Sequence, residues 1–143
     1  MKVQETIERE SLNQSQPNTI KMPFGLLGFE QLKEYVLLAS PEEAPFLWLE
    51  SPQDASISFL VISPFVALPH YQPELSADDV AFLGLKKPED AIIFNIVTLR
   101  GANSATVNLK GPIVVNRHSL QGKQLIPVNA ANYAVQHPLP IAA

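Results

Sequence analysis

Thirteen prolines spread along 143 residues limit what this chain can fold into. Proline ends helices and is kept out of central strands, so long helices and long uninterrupted strands are disfavoured. Between the prolines lie short runs rich in β-branched and aromatic residues, each of strand length. We predict strands at 35–39, 46–50, 57–62, 91–99, 105–109, 113–116 and 124–128.

Two of these runs differ from the others in polarity. Residues 57–62 and 91–97 are almost entirely apolar, which is typical of central strands buried on both faces. Residues 2–10 alternate imperfectly between apolar and polar side chains, which predicts a half-exposed strand.

One helix is expected from Ser76 to Gly84. Ser76 is a capping residue, Asp78 and Asp79 suit the positive end of a helix dipole, and Gly84 can end the helix. A further helical turn is expected at 29–34. Many short strands with one or two short helices predict an all-β fold, a small barrel-like or curled antiparallel or mixed sheet. With 46% hydrophobic and 17% charged residues, we expect one folded domain over 1–143.

The charge is distributed unevenly along the chain. Residues 1–90 carry all 14 acids and six bases, whereas residues 91–143 carry four bases and no acid. The net charge of −4 argues against direct binding of nucleic acid, because phosphate binding depends on clustered Lys and Arg. Two interpretations remain open: a well-solvated acidic surface, or a surface for a basic protein partner.

Neither a metal site nor a cofactor site is indicated by the sequence. There is no cysteine, and His70, His118 and His137 lie far apart, which predicts surface or turn positions. Residues 25–28 have the two glycines of a tight turn but neither a dinucleotide fingerprint nor a P-loop. The paired acids Asp78–Asp79 fit helix capping better than catalysis, and no Gly-x-Ser-x-Gly elbow is present. We therefore expect a protein without enzymatic activity.

No signal peptide and no apolar run long enough to cross a membrane is seen, so the expected location is the cytoplasm. Residues 116–124 form the most basic stretch, and a hairpin turn there is favoured over an RNA-contacting loop. Residues 63–73 hold several apolar side chains framed by prolines, which could belong either to the core or to an interface.

Motifs in order along the chain resemble the flagellar assembly factor FliW family. Residues 24–30 and 35–38 resemble the opening motif of that family. Pro64, residues 69–71, Pro73 and residues 75–79 resemble its middle motif. Residues 106–116, Thr-Val-Asn-Leu-Lys-Gly-Pro-Ile-Val-Val-Asn, resemble a third motif, and residues 122–124 and 133–139 resemble the close.

The resemblance implies a small monomeric β-barrel-like protein of the bacterial cytoplasm. Members of that family bind the translational repressor CsrA, relieve repression of flagellin mRNA, and bind flagellin, which competes for the same protein. Five residues inside the matched motifs are candidate partner contacts: Phe65, Tyr71, Arg117, Gln124 and Tyr133.

The chain departs from the family pattern in its middle motif, where Ser63, His70 and Gln72 stand at positions that tend to be acidic. This departure leads to an alternative hypothesis, a cytoplasmic chaperone specific for flagellin that does not antagonise CsrA.

Overall fold

The computed structural model describes residues 1–4 and 18–140, and within them the chain forms one curled, mostly antiparallel sheet. The α-helices are α1 (Pro64–Ala67) and α2 (Ala77–Leu83), and short 3-10 turns occupy Pro41–Glu43, Pro88–Asp90 and Ala130–Asn132. The strands are β1 (Asn18–Lys21), β2 (Glu34–Ala39), β3 (Leu47–Glu50), β4 (Ser58–Ile62), β5 (Ala91–Gly101), β6 (Ser104–Val107), β7 (Ile113–Asn116), β8 (Gly122–Gln124) and β9 (His137–Pro140).

The sheet branches at its longest strand. Strands β1 to β5 follow one another as antiparallel neighbours. The first half of β5 then pairs with β7, which pairs with β8, whereas its second half pairs with β6, which pairs with β9. One backbone hydrogen bond, from Lys21 N to Leu120 O at 2.9 Å, brings β1 next to the β7–β8 hairpin. The sheet is therefore curled but not closed.

Strand β5 contributes to all three hydrophobic clusters that form the core of the described residues. Phe94 lies in the cluster inside the curl, with Tyr35 of β2 and Leu49 of β3. Ile93 faces the opposite way, into a cluster covered by α2. Val97 belongs to a third cluster under α1. The expectation that 91–97 is a central strand buried on both faces is confirmed.

Most of the predicted elements are present with small changes of boundary. Strand 113–116 and the helix are confirmed, and Ser76 Oγ accepts a hydrogen bond from Asp79 N at 3.1 Å. Leu83 ends that helix, since Gly84 adopts a left-handed conformation. The predicted strand 57–62 is present as β4. It was expected to be buried on both faces, but Ser58 at its start is exposed, and full burial is reached at its last two residues, Val61 and Ile62.

Two predicted elements are wrong. Residues 29–34 form a single hydrogen-bonded turn rather than a helix: Leu32 N bonds Phe29 O at 3.1 Å, and the chain enters β2 at Glu34. The last predicted strand, 124–128, lies instead at Gly122–Gln124. Leu125 N still bonds Pro112 O at 3.1 Å, in register with the β7–β8 pairs, but Pro127 has no N–H with which to extend the ladder.

Among the α-helices and strands of the described residues, α1, β1 and β9 were not predicted, and neither were the 3-10 turns. Strand β9 contains Pro138 and Pro140, which argue against a central strand but are tolerated here because β9 is at the edge of the sheet. The strand predicted at 2–10 falls mostly outside the described residues, and Lys2 forms a single bridge with Glu74.

Replacing Gly25 should destabilise the fold. Its φ is +66°, and a Cβ there would lie 2.6 Å from Glu30 Cα and 2.7 Å from Phe29 O, both backbone atoms that cannot move freely. We expect Gly25→Ala to lower the free energy of unfolding in urea by about 2–3 kcal/mol. The control is Gly28→Ala, also at positive φ but with open space at the Cβ position, which should cost about 1 kcal/mol. Equal losses in the two variants would contradict the steric argument.

Candidate partner-binding surfaces

Three of the five predicted contact residues meet in one aromatic cluster. The rings of Tyr71 and Tyr133 lie 4.6 Å apart edge to face, and the ring of Phe65 on α1 lies 6.2 Å from that of Tyr71. Tyr133 lies far from Phe65 and Tyr71 in sequence, and it meets them because α1 and residues 130–133 both pack over the second half of β5 and over β6. We call Phe65, Tyr71 and Tyr133 the aromatic cluster.

Within the aromatic cluster, Tyr71 has a structural role. Its side chain has no exposed surface, and its hydroxyl donates a hydrogen bond to Leu109 O at 2.7 Å. Burial raises the pKa of Tyr71 well above its ordinary value. The prediction that Tyr71 contacts a partner directly is therefore corrected, because in this conformation the side chain has no surface to offer.

Tyr133 is half-buried and holds neighbouring backbone in place. Its hydroxyl accepts a hydrogen bond from Gln72 N at 3.1 Å. Asn129 completes the link, since its amide donates to Gln72 O at 2.9 Å and accepts from Glu74 N at 2.8 Å. Residues 63–73 are thus mainly core, with Val66 on α1 exposed.

Gln124 lies away from the aromatic cluster and fixes a different loop. Its Oε1 accepts a hydrogen bond from Leu27 N at 2.9 Å, and its Nε2 donates to Gly111 O at 3.2 Å. Arg117 is half-exposed in the β7–β8 hairpin, and its backbone N–H donates to Asp90 O at 2.8 Å. The predicted hairpin turn is confirmed by the pairing of β7 with β8.

The loop tied by Gln124 presents large apolar side chains to solvent. Leu27 is 83% exposed and Phe24 is 56% exposed. The ring of Phe24 packs 5.0 Å from that of Phe82 on α2, and Lys123 Nζ lies 5.4 and 5.7 Å from the two ring centroids. We call Phe24, Leu27, Phe82 and Lys123 the loop patch.

Charges in and beside the loop patch have local partners. Lys123 Nζ lies 2.5 Å from Asp79 Oδ1 in a partly buried ion pair. The carboxylate of Glu30 accepts a hydrogen bond from Gly28 N at 3.1 Å, which lowers the pKa of that carboxyl group. The patch is therefore a preordered apolar surface, and exposed apolar groups held rigidly are well suited to binding another protein.

The sequence reasoning identified Gly25 and Gly28 as a turn, which is confirmed by their positive φ angles, but it did not select Phe24 or Leu27. No local signal separates Leu27 from Leu26, which lies in the same turn and is buried in the core. Phe82 and Lys123, which contact Phe24, are distant from it in sequence, so the packing itself could not be predicted.

The other candidate groups have structural roles or lie on the surface. His70 is exposed, and His137 is half-buried in β9 rather than in a turn. Asp90 Oδ2 accepts hydrogen bonds from the N–H groups of Lys86 and Lys87, and its Oδ1 lies 3.1 Å from Nε2 of the exposed His118. In residues 1–4 and 18–140, no group of three or more His, Asp or Glu side chains could hold a metal ion.

Relatives of this chain carry one name, and the matches cover most of the length of each. The model of the FliW protein family matches residues 3–139. A flagellar assembly factor FliW of Natranaerobius thermophilus is 38% identical over 122 residues, covering 84% of this chain and 80% of the relative. Another from Clostridium kluyveri is 37% identical over 129 residues, covering 90% of this chain and 88% of the relative.

A solved structure agrees with these sequence matches. The crystal structure of a flagellar assembly factor FliW superimposes with a TM-score of 0.75 at 29% identity, covering 96% of this chain and 95% of that one. The chain belongs to the FliW family. The resemblance stated from its motifs is confirmed, and so is the expected all-β fold.

Two of the FliW-like motifs lie at connections between strands. Residues 106–116 run from β6 through the segment that leaves the sheet and into β7, and Asn108 O in that segment accepts a hydrogen bond from the Asn95 amide at 2.8 Å. Residues 24–30 carry the exposed part of the loop patch. No helix in the described part of the chain has the length and apolar character needed to span a membrane.

Substitution of Tyr71 should reduce stability. We expect Tyr71→Ala to lower the free energy of unfolding by about 3–5 kcal/mol, because it removes a fully buried ring. Tyr71→Phe keeps the ring and loses the hydrogen bond to Leu109 O, at a cost of about 1 kcal/mol. Chemical unfolding measures both, and a Tyr71→Ala variant as stable as the wild type would contradict burial of the ring.

The acid stability of the fold should depend on Asp90. Backbone N–H groups of Lys86 and Lys87 and the imidazole of His118 hold the pKa of Asp90 below its ordinary value. The ionised carboxylate therefore stabilises the fold above the unfolded pKa of about 4, and this contribution is lost as pH falls through the lower folded pKa.

The stability of wild type should accordingly exceed that of Asp90→Asn near neutral pH, with a difference that shrinks below about pH 4. Urea unfolding at a series of pH values measures the difference. Glu89→Gln, at an exposed neighbouring acid, is the control for loss of one charge. A wild-type advantage that stays constant down to the lowest pH would refute the role of the Asp90 charge.

Proposed function

We propose that this protein is a non-enzymatic flagellar assembly factor that binds the translational repressor CsrA and, in exchange, flagellin. Binding CsrA would relieve repression of flagellin mRNA, and free flagellin would displace the repressor. The observation that carries the proposal is membership of the FliW family over residues 3–139, since its relatives are named flagellar assembly factors. We place this activity in the cytoplasm, in a monomer that acts as a single binding domain without direct contact to nucleic acid.

The loop patch supports a role in protein binding. Phe24 and Leu27 are large apolar side chains held at the surface by a turn, a cation–π contact and the hydrogen bond from Leu27 N to Gln124. A rigid surface loses little conformational entropy when it binds, so more of the contact energy is available for affinity. Of the five predicted contacts, Gln124 acts here by positioning Leu27.

The arrangement of acids supports a non-enzymatic role. The carboxylate of Asp79 pairs with Lys123, and that of Asp90 accepts two backbone N–H groups. Both side chains are largely buried and engaged in holding α2 and the turn that follows it. They are therefore committed to structure.

The alternative is a flagellin-specific chaperone that does not antagonise CsrA. It is favoured by the middle motif, where the structure places His70 on the surface and Ser63 and Gln72 in half-exposed positions. If acids at these positions contact a basic surface of the repressor, uncharged side chains weaken that contact. Flagellin binding would then remain without any effect on the repressor.

Calorimetric titration distinguishes the two proposals. The protein is titrated with purified CsrA from the same organism, first alone and then with flagellin already bound. Binding of CsrA that disappears when flagellin is present supports partner exchange. Binding of flagellin without binding of CsrA favours the chaperone, and binding of neither refutes both.

Substitution of Leu27 tests whether the loop patch binds a partner. We expect Leu27→Ser to weaken the affinity for at least one of CsrA and flagellin by about tenfold, which corresponds to loss of one central apolar contact. The unfolding midpoint should hardly change, because the side chain is 83% exposed. The matched control is Leu99→Ser, at a 60% exposed leucine on β5. If both variants bind the two proteins as wild type does, the loop patch is not the interface.

A further inference from the structure

The strands β1 to β4 have a second face, which points away from the curl. Strand register places Leu38 opposite Trp48, and Trp48 opposite Leu60, in one row across three strands. Val36 lies on the same face as Leu38, two residues before it. Neighbouring residues of these strands point the other way, because Tyr35, Leu37, Leu47, Leu49 and Phe59 pack in or against the cluster inside the curl. We call Val36, Leu38, Trp48 and Leu60 the outer sheet face.

The outer sheet face is partly open to solvent. Leu38 is 39% exposed, and Val36, Trp48 and Leu60 are half-buried. Leu60 contacts the core cluster under α1, at the end of the face nearest β5. In the described part of the chain, Val36, Leu38 and Trp48 belong to none of the three core clusters.

Acids border this apolar row. Glu50 is the partner of Val36 across the β2–β3 ladder, so it points outward, and Glu34 points outward two residues before Val36. On the other side, a Glu43 carboxylate oxygen accepts a hydrogen bond from Trp48 Nε1 at 3.4 Å. Lys21, opposite Glu34, is the single base among the outward positions of these four strands. Those positions are 19 and 21 of β1, 34, 36 and 38 of β2, 48 and 50 of β3, and 58 and 60 of β4.

We propose that the outer sheet face docks a basic amphipathic segment of a partner protein. Apolar side chains of that segment would cover Leu38 and Trp48, and its Lys or Arg side chains would meet Glu34, Glu43 and Glu50. Tryptophan is enriched among the residues that dominate binding energy at interfaces, especially where a surrounding rim excludes water. Complementary rim charges accelerate association and make it sensitive to salt. Phosphates would be repelled, so a nucleic acid does not fit this face.

This inference goes beyond the partner exchange proposed above, because it concerns a different surface and requires the identity of neither partner. It also has a direct reporter. Trp48 is the one tryptophan in the sequence, so the fluorescence of the wild-type protein reports on the centre of the face.

The test uses two synthetic amphipathic helical peptides, one of leucine and lysine and one with glutamate in place of every lysine. The lysine peptide should shift Trp48 emission to shorter wavelength in a saturable titration, and higher salt should weaken its binding. The glutamate peptide should bind with an affinity lower by about tenfold or more, because its negative charges are repelled by the acidic rim. Unchanged Trp48 emission with the lysine peptide, or equal binding of both peptides, would overturn the proposal.

Two variants test whether the lysine peptide binds at the outer sheet face. Leu38→Ser removes an apolar contact, and Glu50→Lys reverses a rim charge at an exposed position that should not affect folding. Each should weaken binding of the lysine peptide about tenfold. Glu89→Lys makes the same charge change on an exposed acid of a 3-10 turn outside these strands, and it should bind almost as wild type does.

If Glu50→Lys and Glu89→Lys weaken binding equally, the attraction comes from net charge, and the proposed docking face is wrong. Thermal unfolding confirms that each variant is folded. Calorimetry with CsrA and flagellin decides the proposed function separately, so the two proposals fail independently.

Discussion

Burial of strand β5 on both faces is the constraint on which the rest of the structure depends. Its even-numbered residues, such as Phe94, face the inside of the curl, while Ile93 and Val97 face the clusters under α2 and α1. Each fully buried side chain of this size stabilises the fold by about 1.5–3 kcal/mol. Because side chains of β5 pack in all three clusters, both helices and both branches of the sheet are positioned against this one strand.

The one polar residue in the buried part of β5 lies where the sheet branches. Asn95 is fully buried on the outward face, between Ile93 and Val97, and its amide donates to Asn108 O at 2.8 Å. A buried amide needs such a partner, because an unmet hydrogen bond in the core is costly. The backbone of Asn108 in turn donates to Ile96 O at 3.0 Å. These bonds hold the segment between β6 and β7 next to β5 after it has left both ladders.

Patterns local in sequence predicted the parts of the fold that local physics controls. The buried run of β5, the capped helix α2 and the glycine turn at 25–28 each depend on a few adjacent residues. Strand β9 could not be predicted in this way, because its two prolines are acceptable solely at a sheet edge, and edge position is a property of the whole topology.

The candidate surfaces were predicted less completely than the fold. Motif resemblance selected Gln124, which holds the loop patch, but it also selected Tyr71, which is buried. A sequence motif marks residues that a family shares, and both core and surface residues meet that description. The exposed residues Leu27 and Leu38 were not selected, since their exposure depends on packing between distant segments.

The uneven charge seen in the sequence has a structural counterpart in the two surfaces. The loop patch is neutralised by its own ion pair, whereas the outer sheet face keeps Glu34, Glu43 and Glu50 at its border. Leu27 and Glu34 are seven residues apart, so their Cα atoms are separated by at most about 25 Å. A helix of about 20 residues spans about 30 Å. A bound helix of that length is therefore longer than the distance between these two residues, one in the loop patch and one at the border of the outer sheet face.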